Sequence, residues 1–380
     1  MKSVFIVKRK GENIMHALKR FGTAFGGYKM MENYPVPECG PDDIILEIKA
    51  AAICGADMKH WGVDNGYDDT NITPDQQQSV RGHEFAGEIV KVGENVKDWH
   101  IGQRVVSDNS AHVCGVCPAC EQGDFLCCEH KVNLGLDNNT WGGGFSKYCK
   151  VPGEILAIHK HAIWEIPEGI KYEEACVLDP ICNAYKAVAQ QSHLIPGQDV
   201  VVFGTGPLGL FSVQVAKLMG AVNIVMVGLD DDVKVRFGVA KELGATHCVN
   251  GSKEDVVARC TEICGRDNLG LVIECSGANI ALKQAIEMTR PNAEIVRVGM
   301  GFKPLEFSIN DITAWNKSII GHMAYDSTSW RNCIRLLQSG QIKVQPMITH
   351  RLGLSQWQEG FDKMAKKEAI KVIFHYDYED

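Results

Sequence analysis

No stretch of this 380-residue chain is apolar for long enough to cross a bilayer, and its opening residues, MKSVFIVKRKGENIMHALKRFG, hold no apolar core of signal-peptide length. An amphipathic transit peptide is disfavoured by Glu12 and by the shortage of serine, so a cytoplasmic protein without membrane contact is expected. Basic runs are equally scarce. The longest is the short cluster Lys363 to Lys367, which reads as a solvated helix face. With a net charge of −8, nucleic acid and anionic membrane are excluded as main partners. Internal repeats and low-complexity tracts are missing too. What remains is the balance of an ordinary globular protein, 45% apolar and 23% charged, of a length that suggests two domains. Cysteine is plentiful, at 15 residues, with a cluster crowded into 114–128. In a reducing compartment such crowding points to metal rather than to disulfides.

Two rhythms divide the chain. Residues 15–110 alternate short β-type runs (IILEIKAAAI, EFAGEIVKVG, QRVVS) with Gly, Pro and Asp turns, the pattern of an antiparallel, barrel-like domain. From about 185, the runs DVVVFG, NIVMVG, LVIECSG and EIVRVG alternate with helical stretches such as LFSVQVAKLMG and KVRFGVAKELGA. Strands separated by helices imply βαβ units and a doubly wound parallel sheet. After about 325 the elements shorten again, ending in the strand IKVIFHY. The expected layout is α/β, with a catalytic domain formed by 15–185 and 325–380 and a nucleotide domain, 186–324, inserted within it.

The nucleotide expectation rests on Gly204, Gly206 and Gly209, spaced G-x-G-x-x-G between a Val-rich strand and a helix that begins Pro207-Leu208. The first glycine permits the turn, the second lets backbone approach a pyrophosphate, and the third lets helix pack on strand. The helix N-terminus then offers free N–H groups to phosphate. Asp230, Asp231 and Asp232 follow about 20 residues on, where a carboxylate takes the adenosine ribose. Gly228 occupies the end of the second strand, where that acid is otherwise expected, so Asp230 and Asp231 are the candidates. Negative charge there repels a 2′-phosphate and favours NAD, with NADP not excluded. Arg236 argues the other way, but at helical spacing it reads as a surface residue.

Two metal constellations stand out. Cys114, Cys117 and Cys120 form C-x2-C-x2-C, followed by Cys127 and Cys128. Four thiolates satisfy tetrahedral zinc and leave no open position, which makes a structural site. Cys128 suits the fourth place better than Cys127. A ferredoxin-like cluster is the competing reading, weakened by the missing C-x3-C-P continuation. The second set is dispersed: Cys54 in ICGAD, His83 and Glu84 in RGHEFAG, and Asp179 in VLDP. Cysteine, histidine and one carboxylate, with one position left to water or substrate, make a catalytic zinc site that stabilises an alkoxide.

In family order, the motifs ICGAD, GHEFAGEIVKVG, CGVCPAC…C, VLDP, GTGPLGL and AKELGA resemble the zinc-containing medium-chain dehydrogenase/reductase family, closest to its sorbitol- and threonine-dehydrogenase-like branch. The likeness runs from about Met15 to the C-terminus. It implies a GroES-like catalytic domain, an inserted Rossmann domain, two zinc ions per chain, NAD, a small alcohol or carbonyl substrate, and a homodimer or homotetramer. It also implies that Cys54, His83 and Glu84 are the first set of catalytic ligands, with Asp179 next, reaching zinc through water or on ligand exchange. Where the family carries a proton-relaying Ser or Thr, this chain has Ala56. Zinc-bound hydroxide, Lys59 and His60 are the candidates to replace the relay, against bulk water, and Asp57 is expected to hold the turn. The activity implied is hydride transfer between a nicotinamide cofactor and a secondary hydroxyl of a polyol, sugar or sugar acid. The alternatives are an amino-alcohol, threonine or simple alcohol dehydrogenase, or a non-catalytic relative that only binds cofactor.

Overall fold

The computed structural model describes residues 14–20, 27–58, 61, 79–137, 140–301 and 303–379. Lys59, His60 and residues 64–78 of the polar loop that follows them lie outside this set.

Short, β-branched runs become strands of two large sheets. The first has seven strands, in the order Ile348–Gly353, Lys371–His375, Ile44–Ala52, Glu84–Val92, Arg104–Ser107 and Ile163–Glu165, with Tyr148–Val151 also pairing Ile44–Ala52. Pairing is antiparallel except between Ile348–Gly353 and Lys371–His375. The late strand Lys371–His375 joins the early strand Ile44–Ala52 through Ile373 opposite Ala52, so the chain's end completes a sheet begun near residue 44.

The second sheet is wholly parallel. Its order is His247–Asn250, Ile224–Gly228, Val200–Phe203, Leu271–Glu274, Glu294–Arg297 and Ser318–Gly321. That is the dinucleotide-binding order 3-2-1-4-5-6, whose switch point lies between the first and fourth strands of the unit. The inner strands are buried on both faces, which is why they read as unbroken apolar runs rather than alternating ones.

The helix Leu178–Tyr185 lies in the seam between the sheets, and a π-helical turn, Lys186–Gln191, prolongs it. Leu178, Ile181 and Cys182 belong to one apolar cluster with Ala52, Ala86 and Val106 of the first sheet and Val200, Leu210 and Ile273 of the second unit. Asp179 is thereby carried to the boundary of the two. Among the described residues no helix is long and apolar enough to cross a membrane.

Candidate active site

Cys54, His83 and Glu84 come together: one ligand atom from each lies within 4.8 Å of the other two. Cys54 follows the strand Ile44–Ala52, and His83 and Glu84 stand at the start of its neighbour, Glu84–Val92. Ala52 is paired with Glu84 across that ladder, so the antiparallel register itself places the thiol beside the His-Glu pair. Asp57 holds the turn. Its Oδ2 accepts from the Cys54 N–H at 3.0 Å and its Oδ1 accepts from the Arg81 guanidinium at 3.3 Å, with His83 Nδ1 at 3.9 Å.

The carboxylate of Glu84 is fully buried, and Lys371, buried as deeply, donates Nζ to its Oε2 and to the Ile53 carbonyl. Oε1 of Glu84 is buried with no hydrogen-bond partner. Burial pushes the Glu84 carboxyl up while the Lys371 ammonium pulls it down, and burial likewise raises the Cys54 thiol. A thiol, an imidazole and a buried carboxylate oxygen without a donor are a donor set that suits a divalent cation.

Asp179 stands outside this group, though its charge adds to the upward push on both Cys54 and Glu84. Its oxygens are occupied by protein donors: Asn109 Nδ2 at 3.0 Å and the Tyr325 hydroxyl at 2.7 Å on Oδ2, and Asn183 Nδ2 at 3.2 Å on Oδ1. Asn183 Oδ1 lies 3.3 Å from His322 Nε2, and His322 Nδ1 lies 2.6 Å from Gln191. This polar wall was not visible in the sequence, since its members are up to 216 residues apart. Lys371 also escaped notice. Its one signal is a lysine at the head of the apolar run Lys371–His375.

The cysteine lobe is a second, closed group. Cys114, Cys117, Cys120 and Cys128 offer sulfurs all within 4.8 Å of one another, while Cys127 is exposed and outside the group. Cys114 Sγ is 4.0 Å from Cys120 Sγ and 3.6 Å from Cys128 Sγ. Four thiolates about 2.3 Å from a tetrahedral ion stand about 3.8 Å apart, so these spacings suit one zinc. A hydrogen bond from the Val116 N–H draws the Cys114 thiol down to about 7. Asp124, within the lobe, is paired at 2.5 Å with Lys186 on the helical run that carries Asp179.

In the nucleotide unit, Gly204 adopts φ +93°, and a Cβ on Gly209 would stand 1.8 Å from the Gly204 carbonyl oxygen. Nothing within 4 Å opposes a Cβ on Gly206, which leaves that backbone open in front of the helix Pro207–Leu218. Pro207 is its first residue and Leu208 its second. Glu274, at the fourth strand's end, accepts from the N–H groups of Ser276 and Gly277 at 2.7 and 2.9 Å and braces the loop across the crevice. Asp230 is paired with Asn250 (2.7 Å) and Lys253 (3.2 Å), and Asp231 with Lys367 (3.3 Å). The sequence reading of Arg236 as a surface residue is corrected: its side chain is only 12% exposed and is paired with Asp232. The turn after Gly228 folds that aspartate back onto the Leu229 N–H, and between it and the Ala369 carbonyl the guanidinium is held in.

Residues 40–161 match the family described as alcohol dehydrogenase GroES-like domain, and residues 207–339 the family described as zinc-binding dehydrogenase. The chain is 77% identical to a zinc-type alcohol dehydrogenase-like protein, YdjL, of Escherichia coli K12, over 96% of this chain and 100% of that one. It is 30% identical to a sorbitol dehydrogenase of Halalkalibacterium halodurans, over 91% of this chain and 95% of the relative. Among solved structures it resembles the 2R,3R-butanediol dehydrogenase of Bacillus subtilis, with a TM-score of 0.81 at 29% identity, covering 96% of this chain and 100% of that one.

Proposed function

The chain belongs to the zinc-type alcohol dehydrogenase family, oxidoreductases that work with zinc and a nicotinamide cofactor, and from that premise we propose that it oxidises a secondary hydroxyl of a polyol, sugar or sugar acid with NAD. The observation that carries the substrate class is the polar wall of Asp179, Asn109, Asn183 and Tyr325 beside the Cys54–His83–Glu84 group. A wall of donors and acceptors favours a ligand with several hydroxyls over an apolar alcohol, because an apolar group set against it strips water from those polar groups and returns no hydrogen bond.

In this proposal Cys54, His83 and Glu84 hold the catalytic zinc, and Cys114, Cys117, Cys120 and Cys128 hold a second, structural one. The bound metal supplies a Lewis acid that stabilises the substrate's alkoxide. Lys371 fixes Oε2 of Glu84 and so aims the free Oε1 inward. The Lys371 ammonium offsets one of the two anionic charges that Cys54 and Glu84 would bring to a divalent ion. Asp57 keeps Cys54 and Arg81 in register with His83. Asp179, held by its three donors, orients a neighbouring substrate hydroxyl. Ala56 has no hydroxyl to pass the proton, so that task falls to Lys59, to His60 or to solvent.

Gly204, Gly206, Pro207, Leu208 and Gly209 cradle the pyrophosphate at the helix N-terminus. The catalytic unit comprises 15–185 and 325–380, the nucleotide unit 186–324, and the assembly is a homodimer or homotetramer. The decisive measurement is cofactor reduction across a panel of sugar alcohols, inositols, sugar acids, simple alcohols and L-threonine, with zinc present and with NAD and NADP assayed separately. Turnover confined to threonine or to simple alcohols would overturn the substrate class, and no turnover at all would overturn the assignment.

A further inference from the structure

Resting on the dinucleotide reading above, we propose that the adenosine ribose is read by Asp232, not by the exposed Asp230 or Asp231, and that the Asp232–Arg236 pair makes this one position the switch between NAD and NADP. The second strand, Ile224–Gly228, runs parallel to the first, with Phe203 beside Val227, so Gly228 ends next to the glycine loop. No side chain fits there. A Cβ on Gly228 would come within 2.6 Å of Thr205 Cγ2, in the middle of Gly204-Thr205-Gly206, and within 2.7 Å of Phe237. The third atom that it would meet, at 3.0 Å, is Asp232 Oδ2. The acid missing from the strand end is thus supplied from four residues further on.

The 3-10 turn Asp230–Asp232 makes this possible by folding Asp232 back toward the strand, where it is 5% exposed. Oδ2 accepts from the Leu229 N–H at 2.8 Å and Oδ1 from Arg236 at 3.3 Å. Two donors leave part of the acceptor capacity of a carboxylate free, enough for a pair of ribose hydroxyls. Asp230 and Asp231, with side chains 51% and 69% exposed, pair outward with Asn250, Lys253 and Lys367, and neither is among the atoms nearest a Cβ on Gly228.

Arg236 is the other half of the switch. Its guanidinium is pinned to the Ala369 carbonyl at 3.0 Å, and its Nε is buried without a partner. While Asp232 is present, the pair offers a carboxylate to the ribose and repels a 2′-phosphate. Without Asp232, the same guanidinium is left uncompensated beside the ribose position, in the planar form that takes phosphate.

The test is calorimetric binding of NADH and NADPH to the intact zinc-loaded protein and its variants, each checked by thermal melting. Asp232→Asn keeps an oxygen for the Leu229 N–H and removes only the charge. It should weaken NADH about tenfold, the scale of one charge-assisted hydrogen bond. Asp232→Ala should tighten NADPH about fivefold or more, and the Asp232→Ala/Arg236→Ala double variant should lose that gain. Asp230→Ala and Asp231→Ala should each leave NADH within about twofold. Unchanged NADH affinity in Asp232→Asn, or a tenfold loss in the Asp230 or Asp231 variant, would overturn the proposal while leaving the dinucleotide site standing. A wild-type protein that binds neither dinucleotide overturns the site and the proposal together.

Discussion

The two thiol-bearing centres differ in how their donors are assembled. In the lobe, four like ligands arrive within fifteen consecutive residues of one loop, and the group needs little beyond local turns to close. In the pocket, three unlike ligands come from two neighbouring strands, and a fourth residue, Lys371, reaches Glu84 from 287 positions away. Saturated, symmetric coordination fills every position of a zinc ion and can only hold structure. In the reading proposed above, three mixed ligands would leave the fourth position of the ion to substrate. The helical run from Asp179 to Lys186 links the two, since Lys186 grips Asp124 of the lobe and Asp179 belongs to the polar wall.

The sharpest way to break this contrast is Cys54→Ser. Catalytic efficiency should fall by about a thousandfold or more, zinc should drop from about two to about one per chain by elemental analysis, and the melting temperature should barely move. An enzyme that keeps two zinc ions, or that loses its fold, would show that the open centre is not a separate metal site. The mirror experiment is Cys120→Ser, which should also cost one zinc but lower the melting midpoint by roughly 5–10 °C, because structural zinc contributes folding energy. A weak chelator should likewise abolish activity before it changes the melting curve.

Asp179→Asn should reduce catalytic efficiency roughly tenfold, since one of its three donors would then face an amide N–H. Zinc content should stay at about two; a fall to one would instead make Asp179 a ligand. A separate effect concerns stability in acid. Burial, helped by the Lys186 charge, depresses His322 to about 4, so the folded state excludes a proton that the unfolded chain binds below about 6.5. Stability from this group is therefore complete above pH 6.5 and is lost as the pH falls toward 4, by roughly 3 kcal/mol at most. His322→Gln should flatten that part of the stability profile in chemical denaturation.

Much of the fold was legible because burial on both faces writes parallel strands as apolar runs, as in Val200–Phe203 and Leu271–Glu274. Cys54, His83 and Glu84 were legible as ligand types beside turn glycines, and the lobe as spacing. Lys371 was hidden because an ion pair that is long-range in sequence has no local pattern; a single lysine before Val372 looks like the polar end of a strand. Tyr325, Asn109 and Asn183 are ordinary residues until Asp179 is placed among them.

By itself, then, the sequence determined the chemistry on offer: four lobe thiols, a glycine-rich phosphate turn, and a Cys-His-Glu set. These are properties of residue type and short spacing, which local backbone geometry nearly dictates. Only the tertiary structure decided which acid stands at the glycine loop, which cation partners Glu84, and what surrounds Asp179. Each of those depends on elements far apart in the chain meeting in a packed core, where removal from water leaves every buried charge needing a specific partner.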